Sequence, residues 1–529
     1  MSIPEQGSET AGSAFRAGPP KERTTLRNNL EYFAVLILVV LLLRQVVVEA
    51  FRIQHGSMAP TLVSTHQEIR CPNCGWFFDV GADKAGAEGD IECPNCHYHW
   101  AGASEFDDAG LPIMFRQPDW IWNSARERNG TPLPTTDAAN RIYRGATRIF
   151  VNKFIYGLRQ PRRWEVVVFL YPFYSVQCRD CGWRAEEVES IKDLLCPVCG
   201  SSDLEITTKN YIKRLTGLPG ERIALKDGDV YANGVLQRKP PEVQDRMWFH
   251  VFDSEYYPRK EVEPIWDLGG RPDRWVKDAA RGTLVVDAQG ISEPVLAAYG
   301  RHITDFYAYD GLSYEVSPRS IGAAGRYEVG DCRICARVRP VSVDPTGGTV
   351  ILQIDDAGHQ FTLSVDVGDR ANAVLQQDGV PVRQARVKGP VPGDSEWIVL
   401  ENYDDRVVCK VDGREVMRYE YEGGTEARRG IHFGARGATV RWDRIVIQRD
   451  MYYENAAGRA GAPPSYDLGK DGYFMLGDNS PVSMDSRNWK KPGVPAGNLI
   501  GRAFFVFWPV HQMKWLGSGQ AEPAAASGG

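Results

Sequence analysis

Ser57, Lys213 and Ser483 are the residues whose types and settings could together do covalent chemistry. Ser57 lies in Ile53-Gln-His-Gly-Ser57-Met-Ala-Pro-Thr-Leu62, preceded by a glycine and followed by a turn stiffened by proline. A serine placed in this way suits an exposed nucleophile, provided that a base removes its proton. Lys213, in Tyr211-Ile-Lys213-Arg-Leu-Thr-Gly-Leu-Pro-Gly220, stands beside apolar residues. Desolvation disfavours an ammonium, so such an amine can become neutral and serve as that base. A third segment, Gly472-Tyr-Phe-Met-Leu-Gly477-Asp478-Asn479-Ser480-Pro-Val-Ser483-Met-Asp485-Ser486-Arg487, collects hydroxyls and opposite charges. Each alone is weak, because a single serine or lysine is usually structural or solvated.

In this order, behind an N-terminal apolar stretch, the three boxes resemble type I signal peptidases, membrane-bound serine proteases of the Ser–Lys class. The resemblance covers residues 30–64, 144–177, 205–240 and 465–516. It implies that Ser57 is the nucleophile, Lys213 the general base and Ser483 the hydroxyl that orients the amine. Asp485 and Arg487 match a buried supporting pair, and Gly477 and Asp478 the adjoining turn. The oxyanion hole is expected from the Ser57 N–H and a second donor. Many Gram-negative-type members carry a serine hydroxyl two residues before the nucleophile; here that position is His55, and whether it donates or faces solvent stays open. The family further implies cleavage after small residues, typically alanine at the first and third positions before the cut. Phe51, Ile53, Met58, Leu62, Tyr211 and Met475 match or adjoin the shallow apolar pockets that would select them, with plain core packing as the alternative for each. No cofactor is implied for catalysis. The implied partners are preprotein signal peptides and the lipid bilayer. The implied location is the bacterial cytoplasmic (inner) membrane, single-pass, with the catalytic domain on the extracytoplasmic side.

A separate chemistry is written in the cysteines. Cys71/Cys74 and Cys93/Cys96 are two Cys-x-x-Cys pairs with 18 residues between them, and Cys178/Cys181 and Cys196/Cys199 are two more with 14 between. Paired knuckles at this spacing give a tetrahedral four-thiolate site, so two structural zinc ribbons are expected. Disulfide-stapled loops are the alternative, favoured by an extracytoplasmic location. His97 and His99 adjoin the first site but are not needed as ligands. Cys332 and Cys335 form a fifth such pair that strand alternation splits: Cys332 shares a face with Ile334, Ala336 and Val338, and Cys335 faces the other way with Arg333 and Arg337. Cys409, alternating with Val407 and Val411, reads as core.

The elements that must position these groups follow from the rest of the chain. At 529 residues it holds several domains, and 43% hydrophobic with 25% charged residues is globular composition. A net charge of −6 argues against a general nucleic-acid role. Glycine and proline, 53 and 33 of them, favour short strands and turns. The expected fold is mainly β: a disordered tail over 1–30, a transmembrane anchor over 31–50, and a β catalytic domain over 51–64, 144–177, 205–240 and 465–516. It is interrupted by an insertion over 65–143 with the first ribbon, by the second ribbon over 178–204, and by a β-sandwich over 241–464; 517–529 is a second disordered tail. The anchor reading rests on the apolar run from Tyr32, with Arg44 able to snorkel; Arg44, Gln45 and Glu49 stand where a cleavable leader would have small residues.

For the sandwich, Val350, Leu352 and Ile354 alternate, as do Phe361, Leu363, Val365 and Val367, and Asp412-Gly413 signals a hairpin. Val440-Arg-Trp-Asp-Arg-Ile-Val-Ile447 resembles the last strand of laminin-G or concanavalin-like jelly rolls, folds that often bind sugars or proteins. Since Ser57, Lys213 and Ser483 all lie outside 241–464, exchanging that insertion for a short linker is expected to leave peptide cleavage unchanged. Two functions of different class remain: a membrane-anchored signal peptidase, and an inactive or repurposed scaffold binding partners through its ribbons and sandwich. A self-cleaving Ser–Lys repressor is disfavoured by the anchor and the lack of a DNA-binding region.

Overall fold

A computed structural model describes residues 29–37, 48–81, 91–100, 105–106, 112–113, 141–310, 325–424, 429–455 and 465–517. The expected tails over 1–28 and 518–529, residues 38–47 of the expected anchor, and most of 101–140 lie outside these. The chain divides into two compact units, Met1–Glu49 and Ala50–Gly529. In the first, residues 29–37 are helical. Among the described residues no helix is long and apolar enough to cross a membrane. The expected span ended at residue 50, but Val48–Arg52 is a strand. It forms the edge of a sheet beside Arg148–Asn152, so tertiary pairing and not the local apolar run sets its conformation.

The described fold is mainly β, as expected. The sheet of the expected catalytic domain runs, in order, Val48–Arg52, Arg148–Asn152, Leu499–Trp508, Val166–Leu170, Asn210–Gly217, Gly472–Leu476 and Gly493–Pro495. The strand carrying Lys213 is therefore interior, antiparallel to both neighbours, with Lys213 opposite Val167 and Arg214 opposite Leu476. Val166-Val-Val-Phe169 is a continuous buried apolar run, as a strand covered on both faces should be. A smaller sheet of Val235–Leu236, Asp229–Ala232, Arg222–Lys226 and Ser465–Asp467 closes the far end of the lysine strand.

The insertions hang from this frame. The second ribbon is a three-stranded sheet, Arg184–Val188, Tyr174–Cys178 and Leu204–Thr207. The long insertion is a sandwich of an eight-stranded and a seven-stranded antiparallel sheet. Its core holds Val350, Leu352, Ile354, Phe361, Leu363 and Val365 from one sheet and Cys332, Ile334, Ala336, Val338 and Trp442 from the other. The alternation read in the sequence is thus the inward face of each strand, and Cys335 is only half-buried on the opposite face. Asp412 and Gly413 turn the hairpin between Arg406–Val411 and Arg414–Glu420, both at positive φ (50° and 71°), as a two-residue primed turn requires.

The sandwich is not a free appendage. Lys239, past the catalytic hairpin, is buried between Asp404 and Asp450 of the sandwich. Arg449, ending the strand Ala438–Arg449, donates to the carbonyls of Asp305 and Phe306 at 2.9 and 3.0 Å, anchoring the segment Asp305–Asp310 of the insertion. The first ribbon docks on the same insertion: Asn73 Nδ2 donates to the Lys260 carbonyl (2.8 Å) and Trp76 stacks on His250 at 3.7 Å between ring centres.

Candidate active site and cysteine clusters

Ser57 sits in the single 3-10 turn Gly56–Met58, which follows the edge strand. Met58 and Leu62 drop into the core beside Ile53, Ile149 and Val151, and the Met58 carbonyl accepts from the Leu62 N–H at 2.8 Å. The apolar residues around the serine thus fix the turn from below, and Ser57 itself is half-buried. Lys213 projects from the interior strand Asn210–Gly217 and is 1% exposed. Its Nζ donates to Ser57 Oγ at 2.6 Å and to Ser483 Oγ at 2.9 Å. The three residues singled out from the sequence therefore meet at one nitrogen.

Burial pushes the Lys213 amine down from its usual value to about 8; Asp485 and Asp478 pull it back up and Arg487 pushes it further down. Those charges are accounted for. Arg487 holds Asp485 in a two-bond fork, Nε to Oδ1 and Nη2 to Oδ2, each 2.8 Å. Asp485 also accepts from the Gly477 N–H at 3.0 Å. Burial alone would raise the Asp485 carboxyl, but the Arg487 guanidinium together with Lys213 and the Gly477 N–H outweighs it and holds the group below the ordinary carboxylate range. Arg214, the residue after the lysine, points to the opposite face and clasps Asp478 at 2.7 and 2.5 Å. Each buried carboxylate nearby is thereby paired with its own arginine, so its pull on the Lys213 proton is weakened and burial decides the direction of the shift. Arg214 was not singled out in the sequence, although its adjacency to Lys213 and the unexplained Asp478 carried the signal.

Gly477 is glycine for a steric reason. A Cβ there would lie 2.1 Å from Ser483 Oγ and 2.4 Å from the Ser57 carbonyl oxygen. Asn479 follows and donates its N–H to that same carbonyl at 3.0 Å. His55 is exposed, and its side chain makes no capping bond to the nucleophile turn. Of the expected pocket residues, Ile53, Met58, Leu62 and Met475 are buried in core clusters. Phe51 and Tyr211 are half-buried, with the Tyr211 ring centre 6.0 Å from Lys213 Nζ.

The cysteines gather in two groups of four. Cys71 and Cys96 Sγ are 3.6 Å apart, as are Cys74 and Cys93; in the second group Cys178–Cys199 is 3.6 Å and Cys181–Cys196 3.4 Å. All eight are free thiols. Zn–S bonds of about 2.3 Å in a tetrahedron put sulfurs about 3.8 Å apart, so both groups fit a structural zinc ion. Each knuckle closes through the N–H four residues after its first cysteine, donated by Gly75, His97, Gly182 and Gly200. All four have positive φ, which glycine adopts freely; His97, at 56°, adopts it without that freedom. His97 is buried, its Nδ1 3.2 Å from Glu92, so it shapes the knuckle rather than facing solvent. The side chain of His99 lies outside the described residues.

A family model described as signal peptidase, peptidase S26, matches residues 132–262 and 410–508. The chain is 43% identical over 91 residues to a signal peptidase I of Leptolyngbya laminosa, covering 16% of this chain and 42% of that protein. It is 48% identical over 90 residues to a probable signal peptidase I-2 of a Synechocystis species, covering 16% and 39%. The chain thus spans less than half the length of either relative. Among solved structures it is similar to the laminarinase of Rhodothermus marinus at 13% identity and a TM-score of 0.26, over 39% of this chain and 98% of that one, a likeness too low to carry function. The sequence matches bear out the resemblance read from the boxes and support a type I signal peptidase, a serine protease.

Proposed function

We propose, from that family match, that this chain is a membrane-anchored serine endopeptidase that removes N-terminal signal peptides from exported preproteins through a Ser57–Lys213 dyad. The observation that carries the reading is Lys213 Nζ, buried and 2.6 Å from Ser57 Oγ, with its amine lowered to about 8. Neutral Lys213 accepts the Ser57 proton as Oγ attacks the scissile carbonyl, and the Ser57 N–H donates to the oxygen on which charge develops. The tetrahedral intermediate collapses to an acyl-enzyme as Lys213 delivers that proton to the leaving amine. Water, deprotonated by the same nitrogen, then releases the acyl group. Ser483 keeps the amine aimed at Ser57 throughout.

The specificity expected of the family, small residues at the first and third positions before the cut, belongs to this reading, with Phe51 and Tyr211 as the half-buried candidates and the Tyr211 ring facing Lys213. The apolar run that begins at Tyr32 serves as the anchor, and the catalytic unit faces the extracytoplasmic side of a bacterial cytoplasmic membrane. The two cysteine groups hold structural zinc and take no part in the chemistry. Purified protein should cleave a peptide bearing an Ala-x-Ala site, and the Ser57→Ala protein should not. A folded wild-type chain unable to cut such peptides would leave the scaffold reading in its place.

A further inference from the structure

A segment of the sandwich insertion, Asp305–Asp310, packs against the Ser57 turn. Tyr309 is buried with Ala59 and Val63, its hydroxyl 2.7 Å from Ser64 Oγ. Its ring occupies the space beside Gly56, where a Cβ would lie 2.4 Å from Tyr309 Cε1. The next residue, Asp310, accepts from Asn479 Nδ2 at 2.8 Å, and the same Nδ2 reaches the Gly56 carbonyl at 3.3 Å. That carbonyl also accepts from the Ala59 N–H at 3.0 Å.

The peptide plane turns these contacts into a statement about catalysis. Gly56 C=O and Ser57 N–H belong to one planar trans peptide and point in opposite directions. Donors gripping the Gly56 oxygen therefore aim the Ser57 N–H, the group the proposed mechanism uses against the developing oxyanion. Asn479 can serve as such a donor only with its NH2 turned inward, which leaves its Oδ1 buried without a protein partner. Turning the amide over would set that Oδ1 against the Gly56 carbonyl oxygen, acceptor to acceptor. The Asp310 carboxylate, an acceptor only, opposes that turn.

We propose that Asp310, supplied by the sandwich insertion, is a positioning residue for the oxyanion donor, acting through the Asn479 amide. The proposal rests on the Ser–Lys protease reading. It makes the sandwich part of the catalytic architecture, because Arg449 ties the Asp305–Asp310 segment to the sandwich's last long strand.

The test uses the full chain in detergent, an Ala-x-Ala peptide and thermal melts to verify folding. Asp310→Leu should lower kcat about tenfold or more, short of the ~10²–10³ expected when an oxyanion donor is deleted outright, with KM within about twofold. Asp310→Asn, which retains an acceptor oxygen, should restore most of the loss. Adding Asp310→Leu to Asn479→Ala should cause no further fall, since one residue acts through the other. A folded Asp310→Leu enzyme with wild-type kcat overturns the proposal, as does an additive loss in the double variant. If the leucine variant does not fold, Asp310→Ala carries the same prediction against Asp310→Asn. A wild-type chain that cleaves nothing removes the protease reading, and this inference with it.

Discussion

Replacing Lys213 by methionine separates what the lysine does for catalysis from what its burial does to stability. The fall in its pKa from 10.5 to about 8, at about 1.4 kcal/mol per pH unit, corresponds to about 3 kcal/mol. The sign follows from proton counting. Below pH 8 the folded and unfolded chains both hold the proton, and the full penalty of a buried ammonium weighs on the folded state. Between pH 8 and 10.5 the unfolded chain holds a proton that the folded chain has released, so the unfolding free energy rises with pH. Lys213→Met lacks this dependence and fills a similar volume without charge. It also loses the two bonds to Ser57 and Ser483, about 1 kcal/mol each. At pH 7 the variant should therefore be more stable than wild type by about 1 kcal/mol, and less stable by about 2 kcal/mol at pH 10.5. Urea unfolding of the catalytically silent Ser57→Ala protein, with and without Lys213→Met, measures that crossing free of self-cleavage; with only the Ser483 bond left to lose, the difference there should be about +2 kcal/mol at pH 7 and about −1 kcal/mol at pH 10.5. In parallel, wild-type kcat/KM should rise with one-proton dependence through about pH 8 as the base becomes neutral. A stability difference independent of pH, or a rate flat from pH 6 to 9, would refute the buried neutral amine.

Further outcomes follow from the same contacts. Gly477→Ala should destabilise the fold by about 1–3 kcal/mol and lower kcat at least about a hundredfold, since the added methyl meets both Ser483 and the Ser57 carbonyl; melts and peptide assays on one preparation check both. Elemental analysis should find two zinc ions per chain, and Cys74→Ser or Cys181→Ser should each lower occupancy by one. Exchanging residues 241–464 for a Gly/Ser linker should now abolish or strongly reduce peptide cleavage, because Tyr309 and Asp310 leave with the sandwich; unchanged turnover would return that insertion to an accessory role.

This last outcome reverses what the sequence suggested, and the reversal marks where its information ends. Ser57, Lys213 and Ser483 could be found because each sits in a dense local box of glycines, prolines and charges whose spacing reflects the chemistry. The strand faces of Cys332 and Cys335 could be read because a side-chain period of two is a local property. Asp310 has no such frame: it meets Asn479 across 169 positions of sequence, and nothing in Phe306-Tyr-Ala-Tyr-Asp310 announces a contact. The pairing of Arg214 with Asp478 spans 264 positions and likewise appears only when adjacent strands set their register. His97 shows a different limit, since a glycine-like backbone at a histidine is imposed by knuckle closure rather than by residue preference. At the N-terminal side, hydrophobicity alone did not distinguish helix from strand over Val48–Arg52, which pairs with Arg148–Asn152 about a hundred positions away.

The central claim is that Ser57 attacks and Lys213 takes its proton. The most direct measurement incubates the detergent-solubilised full chain with a preprotein carrying an Ala-x-Ala site and determines both products by mass spectrometry. The account predicts one cut immediately after that site by the wild-type protein, and none by folded Ser57→Ala or by Lys213→Arg, whose guanidinium stays protonated. Cleavage at that site by either folded variant would contradict it.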